Sequence, residues 1–253
     1  EPKPLDIGSY RIALETRLDD IEPISAFANR VAMHNDWPSE FDLSDGISPA
    51  EGEVIALFYN PELRIARLEA GVALANFETA GLWQDPIFGF NGAEISSPSA
   101  PFQYGLMGNF TIPISGRLEV EKTRAGSVYD AQLRSVAHQE WETRNKLRSV
   151  WTKWVVATLL LEITHEVTEQ LERIERIANL IFESGELNRV EHRLFQVELA
   201  SHAVQQTEAK LQLLETEMEL LTLMGLPPQA TTFLLPEFPK LSITHVEDET
   251  ERI

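Results

Sequence analysis

The feature that most constrains the fold is a long stretch without any helix-breaking signal. Neither a proline nor another credible break occurs between Gly116 and Ser184, so the sequence predicts one helix over residues 116–183. At about 1.5 Å per residue this helix is roughly 100 Å long, and a helix of that length needs a coiled-coil-like partner. Apolar residues spaced by three and four indicate its packed face: Leu147, Val150, Trp154, Ala157 and Leu161, then Leu171, Ile174, Ala178 and Ile181.

A second long helix is predicted over residues 187–224. It ends at Gly225, which is followed by Pro227 and Pro228, a typical helix-ending signal. Gly185 tolerates the positive φ that a turn between two helices commonly needs, so the two long helices are predicted to form an antiparallel hairpin. The stripe predicted to face the first long helix consists of Leu187, Val190, Leu194, Val197, Val204, Leu211, Leu214, Met218 and Leu221.

Shorter elements are predicted before and after this hairpin. Ser48 and Asn60 each precede a proline, the start signal of helices over about 49–58 and 61–82. Residues 1–48 contain four prolines and no sustained period, so they are predicted to form an irregular N-terminal arm. Residues 229–253 are predicted to be an extended, proline-punctuated linker followed by the start of another helix.

Two strands are predicted between the helices, over about 86–95 and 102–114, joined by the loop SSPSAP. The second strand alternates between apolar and polar or small residues, which indicates two different faces. In a soluble sheet the apolar face needs a cover, yet the helices are committed to packing on each other. A lipid-facing transmembrane strand of about ten residues resolves this conflict; a strand buried in a soluble sandwich or packed on a helix is the alternative. The lipid-facing residues are Phe102, Tyr104, Leu106, Phe110 and Ile112.

Composition and motifs exclude several classes of function. A formal net charge of -19 argues against a nucleic-acid partner, because phosphate binding needs clustered basic residues. There is no cysteine, which excludes thiol catalysis and disulfides in these residues. The sequence has no nucleophile-elbow, phosphate-loop or H-E-x-x-H motif, so it predicts neither an enzyme nor a cofactor.

One group of side chains has metal-ligand spacing. Glu162, His165 and Glu169 share a helical face, and such spacing can hold a metal ion. Six histidines among 40 acidic residues produce such neighbours by chance, and no third histidine converges on them. The sequence therefore predicts no metal site. A metal-binding protein is an alternative; it predicts tight zinc or copper binding that is lost in His165→Ala.

The order of these parts resembles one of the two tandem repeats of the TolC-type outer membrane efflux proteins. The similarity covers roughly residues 49–228. It rests on NPEL at residues 60–63, the strand pair, the very long helix, the glycine-centred turn in FESGELNRVEHRLFQVELASHAVQQTEAKL from Phe182, and LLTLMGLPP from Leu220.

The resemblance implies a mainly α fold in which the helical hairpin is a segment of an α-barrel and the strand pair belongs to a transmembrane β-barrel. It implies a channel or duct subunit in the bacterial outer membrane that extends into the periplasm and conducts substrates to the exterior. The implied partners are further copies of the chain (a trimer if each chain holds two repeats), a periplasmic adaptor protein, an inner-membrane transporter and the lipid bilayer. The adaptor-binding tip falls on Phe182, Glu183, Ser184, Gly185, Glu186 and Leu187.

The sequence departs from the family pattern because it contains one repeat only. The segment ITHVEDETERI stands where a second repeat would begin, so we expect a truncated chain whose gating residues belong largely to the missing repeat. A soluble coiled-coil scaffold, with the strand pair packed internally and the long hairpin binding partner helices, is the alternative function.

Overall fold

A computed structural model describes residues 6–32, 41–83, 85–94, 102–109 and 115–239. It confirms a mainly α fold with long helices and a two-stranded antiparallel sheet. The chain forms two compact units: a core unit made of Glu1–Pro61 and Glu140–Ile253, and a strand unit, Glu62–Gln139. In chain order the elements are α1 (Ile7–Glu15), α2 (Glu22–Ala32), α3 (Pro49–Tyr59), α4 (Pro61–Thr79), β1 (Ile87–Glu94), β2 (Phe102–Asn109), α5 (Arg117–Glu183), α6 (Arg189–Met224) and a 3₁₀-helix (Pro228–Phe233).

Helix α3 lies at the centre of the core unit. Its start is fixed by a capping box, in which Ser48 accepts a hydrogen bond from the Glu51 amide and Glu51 accepts one from the Ser48 amide at 2.8 Å. Such reciprocal capping satisfies helix-end donors that would otherwise lack partners. Ile55 of α3 packs among apolar side chains from α2, α5 and α6. These include Ile24, Trp151, Leu220 and Met224, and all five side chains have an exposed fraction below 2%.

The N-terminal segment corrects the prediction of an irregular arm. Residues 7–15 and 22–32 are helical, and Ile24 is fully buried. The Asp6 carboxylate accepts a hydrogen bond from the Gly8 amide at 3.0 Å and so caps α1. Pro23 occupies the first turn of α2, where backbone amides have no acceptor within the helix, so the missing N–H of proline costs no hydrogen bond. It therefore helps to begin a helix, whereas the prediction of an irregular arm rests on reading the prolines of this segment as breaks. The rest of the predicted arm includes residues 1–5 and 33–40, which lie outside the described part.

The segment after α6 also differs from its prediction. Residues 228–233 form a 3₁₀-helix instead of an extended linker. Leu234 pairs in parallel with Ile47, and the Leu235 amide donates to the Ile47 carbonyl at 3.0 Å. Ala230 and Leu234 are buried, so burial of apolar side chains holds this segment on the core. The predicted helix start after Lys240 lies outside the described residues.

Helices α5 and α6 form the predicted antiparallel hairpin. The Trp154 Nε1 atom donates to Glu217 at 3.4 Å, and Gln206 lies 2.9 Å from His165. Both contacts join residues about equally far from Gly185 along the chain, as antiparallel pairing requires. The more buried side chains of α5 follow a three-and-four spacing: Leu147, Val150, Trp154, Ala157, Leu161, Thr164, Thr168, Leu171, Glu175, Ala178 and Phe182.

The face that α6 turns toward α5 is not the predicted stripe. Over much of the hairpin the α6 residues with low exposure are mostly polar or small: His192, His202, Gln206 and Ala209, together with Leu199. Leu221 is buried as predicted. Other members of the predicted stripes are exposed: Ile174 and Ile181 on α5, and Val190, Leu194, Val197, Val204, Leu211 and Leu214 on α6.

The reason for this error is that α6 carries two stripes with helical spacing. Periodicity shows that an apolar stripe will be covered, but it does not say by which neighbour. We call the uncovered residues Val190, Leu194, Val197, Val204, Leu211 and Leu214 the outer stripe. Among the described helices, none has a segment both long enough and apolar enough to cross a membrane.

Candidate functional site

The two strands pair in a register that places four of their large apolar side chains on one face. Phe90 lies opposite Leu106, and Gly92 lies opposite Tyr104. Directly opposed residues in an antiparallel pair project from the same face of the sheet. Phe88 shares this face because it lies two residues from Phe90. We call Phe88, Phe90, Tyr104 and Leu106 the aromatic face.

The aromatic face is open. The exposed fractions are 73% for Phe88, 74% for Phe90, 76% for Tyr104 and 89% for Leu106. A contiguous apolar patch of this kind is uncommon on a soluble monomer and marks a surface for protein or lipid. The structure thus places Tyr104 and Leu106, two of the predicted lipid-facing residues, side by side on it. Phe102 pairs with Glu94 in the same strand pair, and Phe110 and Ile112 lie outside the described residues.

The opposite face of the strand pair carries side chains that are mostly smaller and more polar. Asn91 lies opposite Gly105, and Asn109 lies opposite Ile87. A Cβ atom added at Gly105 would lie 2.5 Å from the Asn91 side-chain oxygen, so the Asn91 amide occupies the space above this glycine. Ile87 and Met107 are apolar exceptions on this face. The strand pair therefore has the two-faced pattern that the sequence predicted.

The second candidate surface is the turn between α5 and α6, which we call the tip (residues 182–187). Gly185 has φ 81°, a left-handed conformation that a side chain disfavours. The Glu186 amide donates to the Ile181 carbonyl at 3.2 Å, and the Gly185 amide donates to the Phe182 carbonyl at 3.0 Å. These bonds satisfy carbonyl groups at the end of α5, as helix C-caps commonly do.

Asn188 fixes the start of α6 on the other side of the tip. Its side-chain oxygen accepts hydrogen bonds from the Val190 amide at 2.9 Å and the Glu191 amide at 2.8 Å. The Glu191 carboxylate in turn accepts one from the Asn188 amide at 3.2 Å, which completes a capping box. Both helix ends at the tip are therefore closed by local hydrogen bonds.

The structure places all six predicted tip residues together at this end of the hairpin, with Phe182 and Glu183 in the last turn of α5. Phe182 and Leu187 are half-buried, while the four residues between them are exposed. The Phe182 ring stacks on His192, with ring centroids 4.7 Å apart and an interplanar angle of 14°. Sequence reasoning missed His192. The signal that could have found it is its position one turn inside the predicted helix, where a residue of the hairpin seam is expected.

The candidate metal ligands do not converge. The Nε2 atom of His165 lies 3.5 Å from Glu169 on the same helix, while its Nδ1 atom lies 2.9 Å from the side-chain nitrogen of Gln206. Within the residues that the structure covers, no group of three or more histidine and acidic side chains could hold a metal ion.

Comparisons with known proteins bear on the fold. No protein-family model and no curated protein matches the sequence. Solved structures do match: the CmeC outer membrane channel of Campylobacter jejuni has a TM-score of 0.64 and 19% identity, over 81% of this chain and 49% of that one. The outer membrane protein VceC of Vibrio cholerae has a TM-score of 0.62 and 12% identity, over 78% and 51%. The open-state MtrE outer membrane channel of Neisseria gonorrhoeae has a TM-score of 0.57 and 16% identity, over 75% and 46%.

These matches confirm the resemblance at the level of the fold. The chain has the fold found in TolC-type outer membrane channels. It spans about half the length of the solved chains that it matches, as one of two tandem repeats would.

Proposed function

We propose that this chain is part of a duct subunit in the bacterial outer membrane, through which an efflux or secretion system conducts substrates from the periplasm to the exterior. It works by passive conduction and not by catalysis. Its strand pair enters the lipid bilayer, and its helical hairpin forms part of the wall of a tunnel.

The observation that carries the proposal is the open aromatic face. Four large apolar side chains project from one face of a two-stranded sheet and are at least 73% exposed. Leaving such side chains in water forfeits about 1.5–3 kcal/mol for each one, so a surface of this kind is favourable only when lipid or protein covers it. The fold supports lipid as the cover, since the solved structures with this fold include proteins described as outer membrane channels.

The outer stripe supports the tunnel. Helix α6 packs one face on α5 and leaves a second apolar stripe exposed from Val190 to Leu214. On α5, Val156, Ile163 and Ile177 are likewise exposed. Helices with two apolar stripes pack against a neighbour on each side, and repetition of that arrangement closes a ring. Further hairpins, from other copies or from a second repeat, are the neighbours that we propose.

The tip is the surface that we propose for the periplasmic adaptor, which in turn engages an inner-membrane transporter. Gly185 and its neighbours form a compact, locally hydrogen-bonded turn with exposed polar groups. A surface built this way presents backbone and side-chain groups to a partner without a large change of shape. If each complete chain holds two repeats, the assembly is a trimer.

Detergent-phase partitioning tests the lipid contact. The unaltered chain is expected to enter the detergent-rich phase and to form conducting pores in planar lipid bilayers. Leu106→Asp places a charge on the aromatic face, and we expect it to shift the chain toward the aqueous phase, since an acidic side chain in the hydrocarbon region is strongly disfavoured.

Asn91→Asp is the matched control. It introduces the same charge on the opposite face of the same strand pair, and we expect it to leave partitioning unchanged. A chain that stays monodisperse in water without detergent and forms no pores would contradict the proposal and favour the soluble scaffold.

A further inference from the structure

His192 occupies an unusual position between the two long helices next to the tip. It is buried, with an exposed fraction of 8%, and lies in the first turn of α6. Its Nε2 atom has no hydrogen-bond partner, yet it lies 3.6 Å from the Glu175 carboxylate on α5. The ring face is covered by the stacked ring of Phe182, which is itself a tip residue.

These contacts join the start of α6 to the end of α5. An imidazole changes charge between about pH 5 and 8. When His192 is protonated, its Nε2–H faces a carboxylate across the hairpin, and charge-assisted hydrogen bonds are the stronger kind. The same cation also gains attraction to the Phe182 ring. When His192 is neutral, the polar contact across the hairpin is weak or absent.

We propose that His192, Glu175 and Phe182 form a protonation-controlled latch that tightens the tip at low pH and loosens it at neutral pH. The latch itself is a property of the hairpin. Its role in regulating the docking of a partner at the tip rests on the proposed function.

The charged groups around His192 favour Glu175 as its partner. Glu175 lies on the face of α5 that packs on α6 and is only partly exposed. The amino-terminal end of α6 disfavours a cation, and Glu175 is the carboxylate that faces the His192 ring across the hairpin. The other charged side chains of the tip and adjacent turns are exposed to solvent: Glu172, Arg173, Arg176, Glu183, Glu186, Arg189, Glu191 and Arg193.

Hydrogen exchange on the whole chain, in aqueous buffer or in detergent, tests the latch. The amide hydrogens of Glu186 and His192 report on the tip, because they bond to Ile181 and Asn188. After correction for intrinsic exchange rates, we expect their protection to be roughly tenfold or more higher at pH 5.5 than at pH 8. Equal protection at both pH values in the unaltered chain would overturn the latch.

Two variants identify the groups that are responsible. Glu175→Gln keeps the shape of the side chain and removes its charge, and His192→Gln removes the titrating ring; each is expected to abolish the pH dependence. His202→Gln is the matched control, because His202 faces Glu198 on its own helix at 3.4 Å, and it is expected to keep the pH dependence. A pH dependence that survives Glu175→Gln would overturn the proposal.

Conductance in planar lipid bilayers at the same two pH values separates this inference from the proposed function. A chain that forms no pore but keeps the pH-dependent protection retains the latch and refutes the duct. Pores together with pH-independent protection retain the duct and refute the latch.

Discussion

Gly52 of α3 lies directly against the indole ring of Trp151 on α5. A Cβ atom added at Gly52 would lie 2.6 Å from the Cζ3 atom of that ring. Trp151 is fully buried and packs edge-to-face on Trp154, with ring centroids 5.7 Å apart. Because Gly52 has no side chain, α3 can approach α5 this closely.

Replacement of Gly52 by alanine should destabilise the core unit. Alanine in a helix is favoured over glycine by roughly 0.5–1 kcal/mol, but overpacking a full core costs about 1–3 kcal/mol, and the second effect is expected to win. Thermal or denaturant unfolding in detergent measures the change. Gly71→Ala in α4 is the control, since nothing lies within 4 Å of its added Cβ atom, and it should stabilise. Equal changes in stability for Gly52→Ala and Gly71→Ala would show that α3 and α5 can move apart at Gly52 without a cost in stability.

A second contact between α3 and α5 is ionic. The buried carboxylate of Glu53 accepts hydrogen bonds from Arg144 Nε at 2.8 Å and from both Nε and Nη2 of Arg148. Its side chain is 6% exposed, whereas the two arginines are partly solvated. A buried carboxylate is tolerated only when it is paired in this way.

Glu53→Gln should lower the free energy of unfolding by about 1–3 kcal/mol. Breaking a fully buried pair costs roughly 3–5 kcal/mol, and the partial exposure of both arginines reduces that figure. Glu121→Gln is the control, because it removes the exposed pair with Arg117 on α5, and exposed pairs contribute little. If the Glu53→Gln chain were as stable as the unaltered one, the ion pairs between Glu53 and the two arginines would contribute no net stability.

The two long helices end at glycines with similar backbone angles but different surroundings. Gly225 has φ 65° and Gly185 has φ 81°. A Cβ atom at Gly225 would lie 2.6 Å from the Tyr59 carbonyl oxygen, whereas one at Gly185 would meet nothing within 4 Å. The Gly225 carbonyl also accepts a hydrogen bond from Arg17.

Gly185→Ala should therefore cost about 1–2 kcal/mol from backbone strain alone. Gly225→Ala should cost more than that, because the C-cap must also move away from Tyr59 and Arg17. Unfolding of the two variants under the same conditions provides the comparison. If the two costs were equal, the close approach at Gly225 would contribute nothing.

The extent to which the sequence predicted this structure depended on the type of signal. The absence of proline and the alternation around Tyr104 predicted the long hairpin and the strand pair, because both signals are local to one element. The covered face of α6 was mispredicted because Val204 and Gln206 lie on stripes with the same spacing, and the sequence does not say which neighbour covers each stripe. Similarly, Pro23 alone does not distinguish a helix start from a break; burial of Ile24 decides it.

At alkaline pH, Tyr59 should weaken the core unit. Burial raises the pKa of the Tyr59 phenol above its ordinary value of 10.0; the Arg17 cation opposes this shift and Asp20 adds to it. A raised pKa means that the folded chain holds the phenol proton more tightly than the unfolded chain does. The resulting stability is present below about pH 10 and is lost as the pH rises through the folded-state pKa.

Tyr59→Phe should thus show a smaller loss of stability between pH 9 and pH 11 than the unaltered chain. It also removes the hydrogen bond from the phenol to the Arg17 carbonyl, 3.0 Å long, which lowers stability by an amount that does not depend on pH below 9. Melting temperatures over this range separate the two effects. Tyr10→Phe changes a half-exposed phenol on α1 and is the control. Parallel pH profiles for the Tyr59→Phe and unaltered chains would contradict the prediction.

The outer stripe of α6 makes the assembly itself testable. Val204 is 57% exposed on this stripe, and a neighbouring hairpin would bury it. Val204→Glu places a charge in that contact, where an unpaired buried carboxylate is strongly unfavourable, so the oligomer is expected to dissociate. Gln205→Glu adds the same charge one residue away, about 100° around the helix, and should leave the oligomer intact. Light scattering coupled to gel filtration in detergent measures the mass of each, and dissociation by both variants, or by neither, would argue against packing through this stripe.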